Sequence, residues 1–180
     1  MVESVTAELR GALGSEPPAK RSDPIFLQSL ANRLLTPHVD FDAMSAWVLG
    51  RYWNQATVAQ QERFKDVFKR LLVKTYAAAI QNIETATIEY LPERDTGKPD
   101  TAVVRTTVAP SESPKVAIDY YLHLRAGKWD VYDLRIEGIS LIANYRSSYA
   151  SQVQAQGIDQ LIQSMEEKLS TSQPDTPATQ

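Results

Sequence analysis

Apolar residues recur through the first half of the chain at three- and four-residue spacings, the repeat of an amphipathic helix. The longest such run opens at Thr57, with Gln60 placed for a capping box, and continues to Ile83. Other runs are bounded by helix signals, such as Asp23-Pro24 at a start and Pro37 at an end. The pattern predicts helices over residues 2–13, 24–35, 40–50, 57–83, 140–156 and 158–169, with a loop over 14–24.

From Glu84 the apolar repeat changes to two, which is the repeat of a half-buried strand. The separators are two turn-rich loops and the tight Ala126-Gly127 hairpin. Four strands are predicted, over residues 85–91, 101–108, 115–125 and 128–136.

The fourth strand changes parity part-way along. Trp129 and Val131 alternate on one face, whereas Leu134 and Ile136 have the other parity. A β-bulge near Tyr132-Asp133 returns all four residues to one face and curves the sheet. We therefore expect an α+β fold, a highly twisted four-stranded antiparallel sheet with helices packed in its concavity. One domain is predicted over residues 1–170, followed by a polar, proline-containing tail, 171–180, that we expect to be disordered.

Composition narrows the classes of function. The 180 residues are 43% apolar and 23% charged, which suits one globular domain with a sizeable core. A net charge of −3 gives no electrostatic footprint for nucleic acid. The absence of cysteine excludes disulfides and thiolate chemistry. No apolar run approaches the length of a membrane span, and the N-terminus lacks the features of a secretory signal.

Catalytic motifs are missing from the sequence. His123 alternates onto the polar side of a strand, where a solvated imidazole is expected, and His38 follows a helix-ending proline. Helix capping explains Asp40 and Asp42 more simply than a metal site does. We expect neither a metal nor a cofactor.

One enzymatic alternative stays open. Small α+β cones can hold a buried carboxylate and a tyrosine as base and oxyanion donor, as an isomerase requires. Asp119 or Asp133, with Tyr120, Tyr132 or Tyr145, is a candidate pair. Alternation places Asp119 outward, and Asp133 at a bulge has backbone donors to satisfy.

A second alternative is a ligand-free interaction module. The polar face of the long helix carries a basic group, Lys65, Lys69, Arg70 and Lys74, and further arginines at 51 and 63 are candidate docking points. A solvated helix face is the simpler explanation of these charges.

Three segments carry a family resemblance. They are LLTPHVDFDAMSAWVLGRYW, ATVAQQERFKDVFKRLLVKTYAAAI and KWDVYDLRIEGISLIANYRSSYASQV. Together they resemble the MlaC family, also called the toluene-tolerance or Ttg2 auxiliary family. The likeness covers about residues 24–165 with the elements in order.

The resemblance implies a periplasmic phospholipid-binding protein with a cone related to nuclear transport factor 2. Such a protein carries phospholipid between an outer-membrane lipoprotein–porin complex and an inner-membrane ABC transporter with a tethered ring subunit. It helps to maintain outer-membrane lipid asymmetry, works without catalysis, and is expected to be a monomer. The missing signal sequence then indicates a mature chain.

Under this hypothesis, apolar residues of the sheet and helices line a pocket for acyl chains, although a simple packed core fits the same pattern. Arg146, beyond the apolar face of its helix, is a candidate phosphate contact at the rim, with a surface ion pair as the alternative. The predicted lining is Met44, Val48, Leu72, Tyr76, Ile80, Val104, Val116, Ile118, Tyr120, Val131, Leu134, Ile136, Ile139, Leu141, Ile142, Tyr145 and Tyr149.

Overall fold

Seven α-helices and five β-strands form the part of the chain that the computed structural model describes, residues 1–92, 94, 96–110 and 114–171. All six predicted helices are present. A short additional helix lies in the segment that the sequence indicated as a loop. The helices are α1 (Val2–Gly14), α2 (Pro18–Arg21), α3 (Pro24–Leu34), α4 (Phe41–Leu49), α5 (Val58–Ile80), α6 (Leu141–Gln156) and α7 (Ile158–Ser170).

Helix starts follow the capping residues of the sequence. At α5 the Gln60 backbone N–H donates to Thr57 Oγ1 (3.2 Å), and Gln60 Oε1 accepts from the Thr57 backbone N–H (2.9 Å). At α4 Asp40 Oδ1 accepts from the Ala43 backbone N–H at 2.8 Å. Each contact satisfies an N–H that the helix leaves without an internal partner.

The sheet is antiparallel throughout, in the order β1-β2-β3-β4-β5. The four predicted strands are present, but the predicted strand number was one too low. A two-residue strand pairs with the end of β4 after the turn at Glu137 and Gly138, too short to produce a sequence alternation. The strands are β1 (Thr87–Tyr90), β2 (Thr101–Ala109), β3 (Val116–Arg125), β4 (Lys128–Ile136) and β5 (Ile139–Ser140).

The predicted bulge is confirmed at Tyr132. Leu122 pairs with Val131, and the next pair along is Tyr121 with Asp133, so Tyr132 is the extra residue on β4. Because of this extra residue, the apolar residues on both sides of the bulge lie on the same face of the sheet. Across the bulge, Trp129, Val131, Leu134 and Ile136 stand opposite Leu124, Leu122, Tyr120 and Ile118.

Two buried clusters hold the helices together, and neither contains a strand residue. The larger one, here called the aromatic core, joins α4, α5, α6 and α7 around Phe64, Phe68, Tyr145 and Tyr149. Phe68 meets Tyr145 edge to face at 5.3 Å between ring centroids. The second, here called the N-terminal core, joins α1, α3 and the end of α5. Its buried members are Val5, Leu9, Leu13, Leu27, Leu30, Ala31, Ala77 and Ile80.

The predicted domain boundary falls at the end of α7. Lys74 Nζ donates to the carbonyl oxygens of Lys168 (2.9 Å) and Leu169 (3.0 Å) and also to that of Thr171, so α5 holds the last turn of α7. Residues 172–180 of the predicted disordered tail lie outside the described residues.

Candidate functional site

One face of the sheet is apolar along almost its whole extent, and we call it the apolar wall. Strand register defines it, since residues directly opposite in an antiparallel pair share a face. Its members are Ile88, Tyr90, Ala102, Val104, Thr106, Val108, Val116, Ile118, Tyr120, Leu122, Leu124, Trp129, Val131, Leu134 and Ile136.

The wall is closed at only one end. Leu122 and Val131 are 3% and 7% exposed, and Val2 of α1 and Val39 pack on this part of the wall. Away from it, Val116, Ile118 and Ile136 are only half-buried. Because neither helical core contains a strand residue, much of this apolar surface has no tightly packed layer over it. An apolar surface of this kind favours a ligand or partner that covers it.

Seven of the predicted lining residues lie together on the wall, and all of them come from the sheet. They are Val104, Val116, Ile118, Tyr120, Val131, Leu134 and Ile136. Ile139 of β5 is 45% exposed at the edge of the sheet, and Leu141 is buried at the start of α6.

The helical candidates lie elsewhere. Tyr76 packs against the aromatic core, and Ile80 belongs to the N-terminal core. The remaining six are buried members of the aromatic core: Met44, Val48, Leu72, Ile142, Tyr145 and Tyr149. A helical repeat shows which face of a helix points inward but not which of several interior regions it meets, so the predicted lining combined residues of three separate apolar regions.

Tyr90 and Thr106 were not among the predicted site residues, although they form a cluster of hydroxyl side chains with the predicted Tyr120. Thr106 stands opposite Tyr90 of β1 and Ile118 of β3, and Tyr120 lies two residues further along β3. Thr106 Oγ1 donates to the Ile118 carbonyl oxygen at 3.2 Å. Burial raises the pKa of the Tyr120 hydroxyl, and the nearby Thr106 hydroxyl offsets part of that rise. Cross-strand register was the missing signal, because alternation alone does not say which residues of different strands are neighbours.

Asp133, a candidate catalytic base, is engaged by the start of α6. Its Oδ1 accepts from the backbone N–H of Leu134 (2.9 Å) and Ile142 (3.2 Å), and its Oδ2 accepts from Ser140 Oγ (2.6 Å). Ser140 is itself the N-cap of α6. A carboxylate at a helix N-terminus is stabilised by unpaired N–H groups and by the helix dipole. These contacts explain the buried Asp133 without a catalytic role.

His123 is not the solvated residue that the sequence indicated. Its Nε2 lies 2.9 Å from Asp40 Oδ2, and both side chains are largely buried. Burial alone raises the pKa of Asp40, but the backbone hydrogen bond from Ala43, together with Arg125 and His123, outweighs this and lowers it. Because Asp40 caps α4, the cluster joins α4 to the face of the sheet opposite the apolar wall.

A separate cleft of about 800 Å³ lies between the β3–β4 hairpin, the start of α4 and the polar face of α5. Much of its charge is paired locally: Lys65 bridges Asp42 and Glu62, both at 2.9 Å, and Asp130 pairs with Lys128 at 2.7 Å. This charged lining is unsuitable for acyl chains. Its acidic and basic members are Asp40, Asp42, Glu62, Lys65, Asp66, Lys69, Arg125, Lys128 and Asp130.

The basic candidates differ in their surroundings. Arg63 pairs with Glu166 through two guanidinium nitrogens, and Arg70 pairs with Asp66 at 3.5 Å. Arg146 is exposed, with its guanidinium against Gly50, where an added Cβ would approach it to 2.9 Å. Arg146 therefore lies beside the end of α4, whereas the wall is formed by the sheet.

The described residues include neither a metal-binding cluster nor a membrane-spanning helix. No group of three or more histidine, aspartate or glutamate side chains among them is arranged to hold a metal ion. Among the helices described, none is both long and apolar enough to cross a membrane.

Comparison with known proteins identifies the family of this chain. The family model "MlaC protein" matches residues 3–167. The chain belongs to the MlaC family. It is 30% identical over 161 residues to the toluene tolerance protein ttg2D of Pseudomonas putida, covering 88% of this chain and 74% of that protein. It is 27% identical over 157 residues to the intermembrane phospholipid transport system binding protein MlaC of Haemophilus influenzae, covering 86% and 72%.

A solved structure of this family shares the whole architecture. The phospholipid-binding protein of Ralstonia solanacearum, solved in complex with a phospholipid, superposes with a TM-score of 0.85 and 29% sequence identity. The match covers 95% of this chain and 96% of that one. The expected α+β architecture and family are thereby confirmed.

Proposed function

We propose that this MlaC-family chain binds phospholipid by its acyl chains against the apolar wall and carries it between membranes. The observation that carries the proposal is the half-open wall itself, in a chain whose fold matches that of a phospholipid-bound relative. The function is transport and not catalysis, since an acyl chain presents only CH2 groups and needs no reactive residue to hold it.

The energetics of acyl burial suit a carrier. Each CH2 removed from water is worth about 0.8 kcal/mol, so two chains of roughly 16 carbons gain on the order of 20 kcal/mol relative to water. Relative to a bilayer the gain is near zero, because the chains are already away from water there. Loss of lipid to water is thus suppressed, while transfer to another apolar site is nearly neutral.

We assign the acyl contacts to the wall and not to the aromatic core. The wall residues Val116, Ile118, Leu134 and Ile136 are half-buried and therefore available to a ligand. The helical candidates in the aromatic core are already packed against one another and buried. In this proposal they stabilise the packing of the helices and do not contact the lipid.

The location and partners of the carrier follow from its relatives. The Haemophilus relative is named as the binding protein of an intermembrane phospholipid transport system. By analogy, we assign this chain to the periplasm, between an inner-membrane ABC transporter with a ring-forming tethered subunit and an outer-membrane lipoprotein–porin complex. Maintenance of outer-membrane lipid asymmetry is the corresponding physiological role.

Native mass spectrometry of the purified protein, followed by organic extraction, tests the proposal. We expect the intact protein to carry a mass increment that extraction identifies as phospholipid. Ile136→Glu is expected to abolish that increment, because a carboxylate on the wall opposes acyl burial. Val58→Glu, at a position 74% exposed on α5, is the matched control and should retain the lipid.

A bare chain mass for the native protein after purification without detergent would contradict the proposal. So would equal lipid retention by Ile136→Glu and Val58→Glu, provided that both unfold at the temperature of the parent. Global unfolding of Ile136→Glu alone would mean that the wall is a closed core and not a site.

A further inference from the structure

We infer that the hydroxyl cluster of Tyr90, Thr106 and Tyr120 receives the ester carbonyl groups of the bound lipid and thereby selects ester-linked over ether-linked phospholipids. This inference rests on the proposed function. It adds to it a position for the glycerol region of the lipid, and a chemical class of lipid that the wall prefers.

The cluster is the one polar interruption among the wall residues given above. The members on either side of it along the strands, such as Val104, Val108, Ile118 and Leu122, are apolar. Cross-strand register puts Tyr90 directly opposite Thr106, and Tyr120 is close enough to Thr106 for a side-chain hydrogen bond. Three hydroxyl-bearing side chains from three adjacent strands are thus neighbours on the wall.

The hydroxyls are graded in exposure across the sheet. Thr106 on β2 is 1% exposed, and Tyr90, on the edge strand β1, is 37% exposed. A phospholipid carries two ester groups between its acyl chains and its solvated headgroup. Because Tyr90 is the member of the cluster nearest solvent, we place the headgroup beyond Tyr90 at the β1 edge, the esters at the cluster and the chains on the rest of the wall.

The chemistry of the cluster suits an ester better than a phosphate. An ester carbonyl is a neutral acceptor, for which a neutral hydroxyl is an adequate donor, whereas phosphate is bound best by arginine, lysine or backbone N–H groups. None of the wall residues named above is cationic. The raised pKa of Tyr120 keeps its hydroxyl protonated, in support of a donor role.

Donor capacity is available without breaking the sheet. The Thr106 hydroxyl proton is directed to the Ile118 carbonyl oxygen at 3.2 Å, so its oxygen can accept from Tyr120. Within the described residues the Tyr90 hydroxyl has no hydrogen bond. A phenol O–H rotates freely, so Tyr120 can donate to a carbonyl of the ligand, while Tyr90 supplies a second donor.

The test pairs a change in the protein with a change in the lipid. Delipidated protein is offered an equal mixture of a diacyl phosphatidylglycerol and its dialkyl ether counterpart, with the same headgroup and chain length. The bound ratio is read by native mass spectrometry. The parent is expected to favour the diester about threefold to tenfold, as one net hydrogen bond would give.

Tyr90→Phe combined with Tyr120→Phe is expected to bring the ratio to about one, by weakening diester binding and leaving diether binding unchanged. The control is Tyr52→Phe, whose hydroxyl accepts from Arg51 at 2.7 Å away from the wall. It should keep the preference of the parent. If the double variant unfolds, Tyr90→Phe alone carries the test, because its half-exposed ring is not part of a core.

The inference is overturned if the parent binds the two lipids equally, or if the folded variant keeps the diester preference. Either result would leave the carrier function intact, since lipid is still bound. Failure of the parent to bind either lipid would instead reject the proposed function, and this inference with it.

Discussion

The aromatic core and the apolar wall are built from the same kinds of residue, yet one is closed and the other is not. In the aromatic core, Phe64, Phe68, Tyr145 and Tyr149 surround one another, and each is at most 1% exposed. On the wall, Ile118 and Ile136 are half-buried, and α1 covers only one end through Val2. Apolar composition therefore does not distinguish a core from a site; the presence of a second packed layer does.

The largest loss of stability is expected when a side chain of the aromatic core is truncated. Phe68→Ala should destabilise the protein by about 3–5 kcal/mol, because it opens a cavity between α5 and α6 that rigid neighbours cannot fill. Chemical denaturation of the lipid-free protein measures this. A loss below about 1 kcal/mol would mean that the aromatic core is as loosely packed as the wall.

The link between sheet and α6 should give the next largest effect. Asp133→Ala leaves the Ile142 N–H and the Ser140 hydroxyl donor without their acceptor. We expect the free energy of unfolding to fall by about 2–3 kcal/mol. Asp133→Asn keeps one acceptor oxygen and should cost about half as much. Equal stability of Asp133→Ala and the parent in urea titrations would show that the carboxylate is not needed to start α6.

A wall residue should affect stability little and lipid binding strongly. Ile118→Ala is expected to cost less than about 1 kcal/mol in the lipid-free protein, since its side chain is already partly in solvent. The same variant should retain visibly less lipid through purification. The control is Val103→Ala, on the opposite face of the sheet and 7% exposed, where we expect lost stability with lipid retention unchanged. Loss of lipid by Val103→Ala, with full retention by Ile118→Ala, would mean that the opposite face of the sheet binds the lipid.

The smallest expected effect is one of pH. The folded pKa of Asp40 lies below the ordinary value of 3.8, so its contribution to stability is present above that value and is lost as the pH falls through the lower folded pKa. The parent should therefore lose more stability between pH 6 and about pH 3 than Asp40→Asn does. Identical pH profiles for the two proteins would rule out a stabilising role for the Asp40 charge.

Local features of this fold could be predicted because their causes are local. The capping box at Thr57, the cap at Asp40 and the bulge at Tyr132 all depend on residues close together in sequence. The strand β5 could not be predicted, because two residues produce no periodicity.

The candidate site also has a part that could be predicted from the sequence and a part that could not. The sheet half of the predicted lining lies together, since strand parity, once corrected for the bulge, determines the face of Val131 and Leu134. The helical half does not, because the choice between α6 facing the sheet and α6 facing α5 depends on tertiary packing. The partnership of His123 with Asp40 likewise joins residues 83 positions apart, beyond any local pattern.

Photo-crosslinking with a phospholipid that carries a diazirine within one acyl chain tests whether the acyl chains lie on the apolar wall. The protein is loaded with this lipid, irradiated and digested, and the modified residues are identified by mass spectrometry. We predict that the label concentrates on the wall strands, at residues such as Ile118, Leu134 and Ile136. Labelling confined to the aromatic core, at Met44, Val48, Tyr145 and Tyr149, would contradict it.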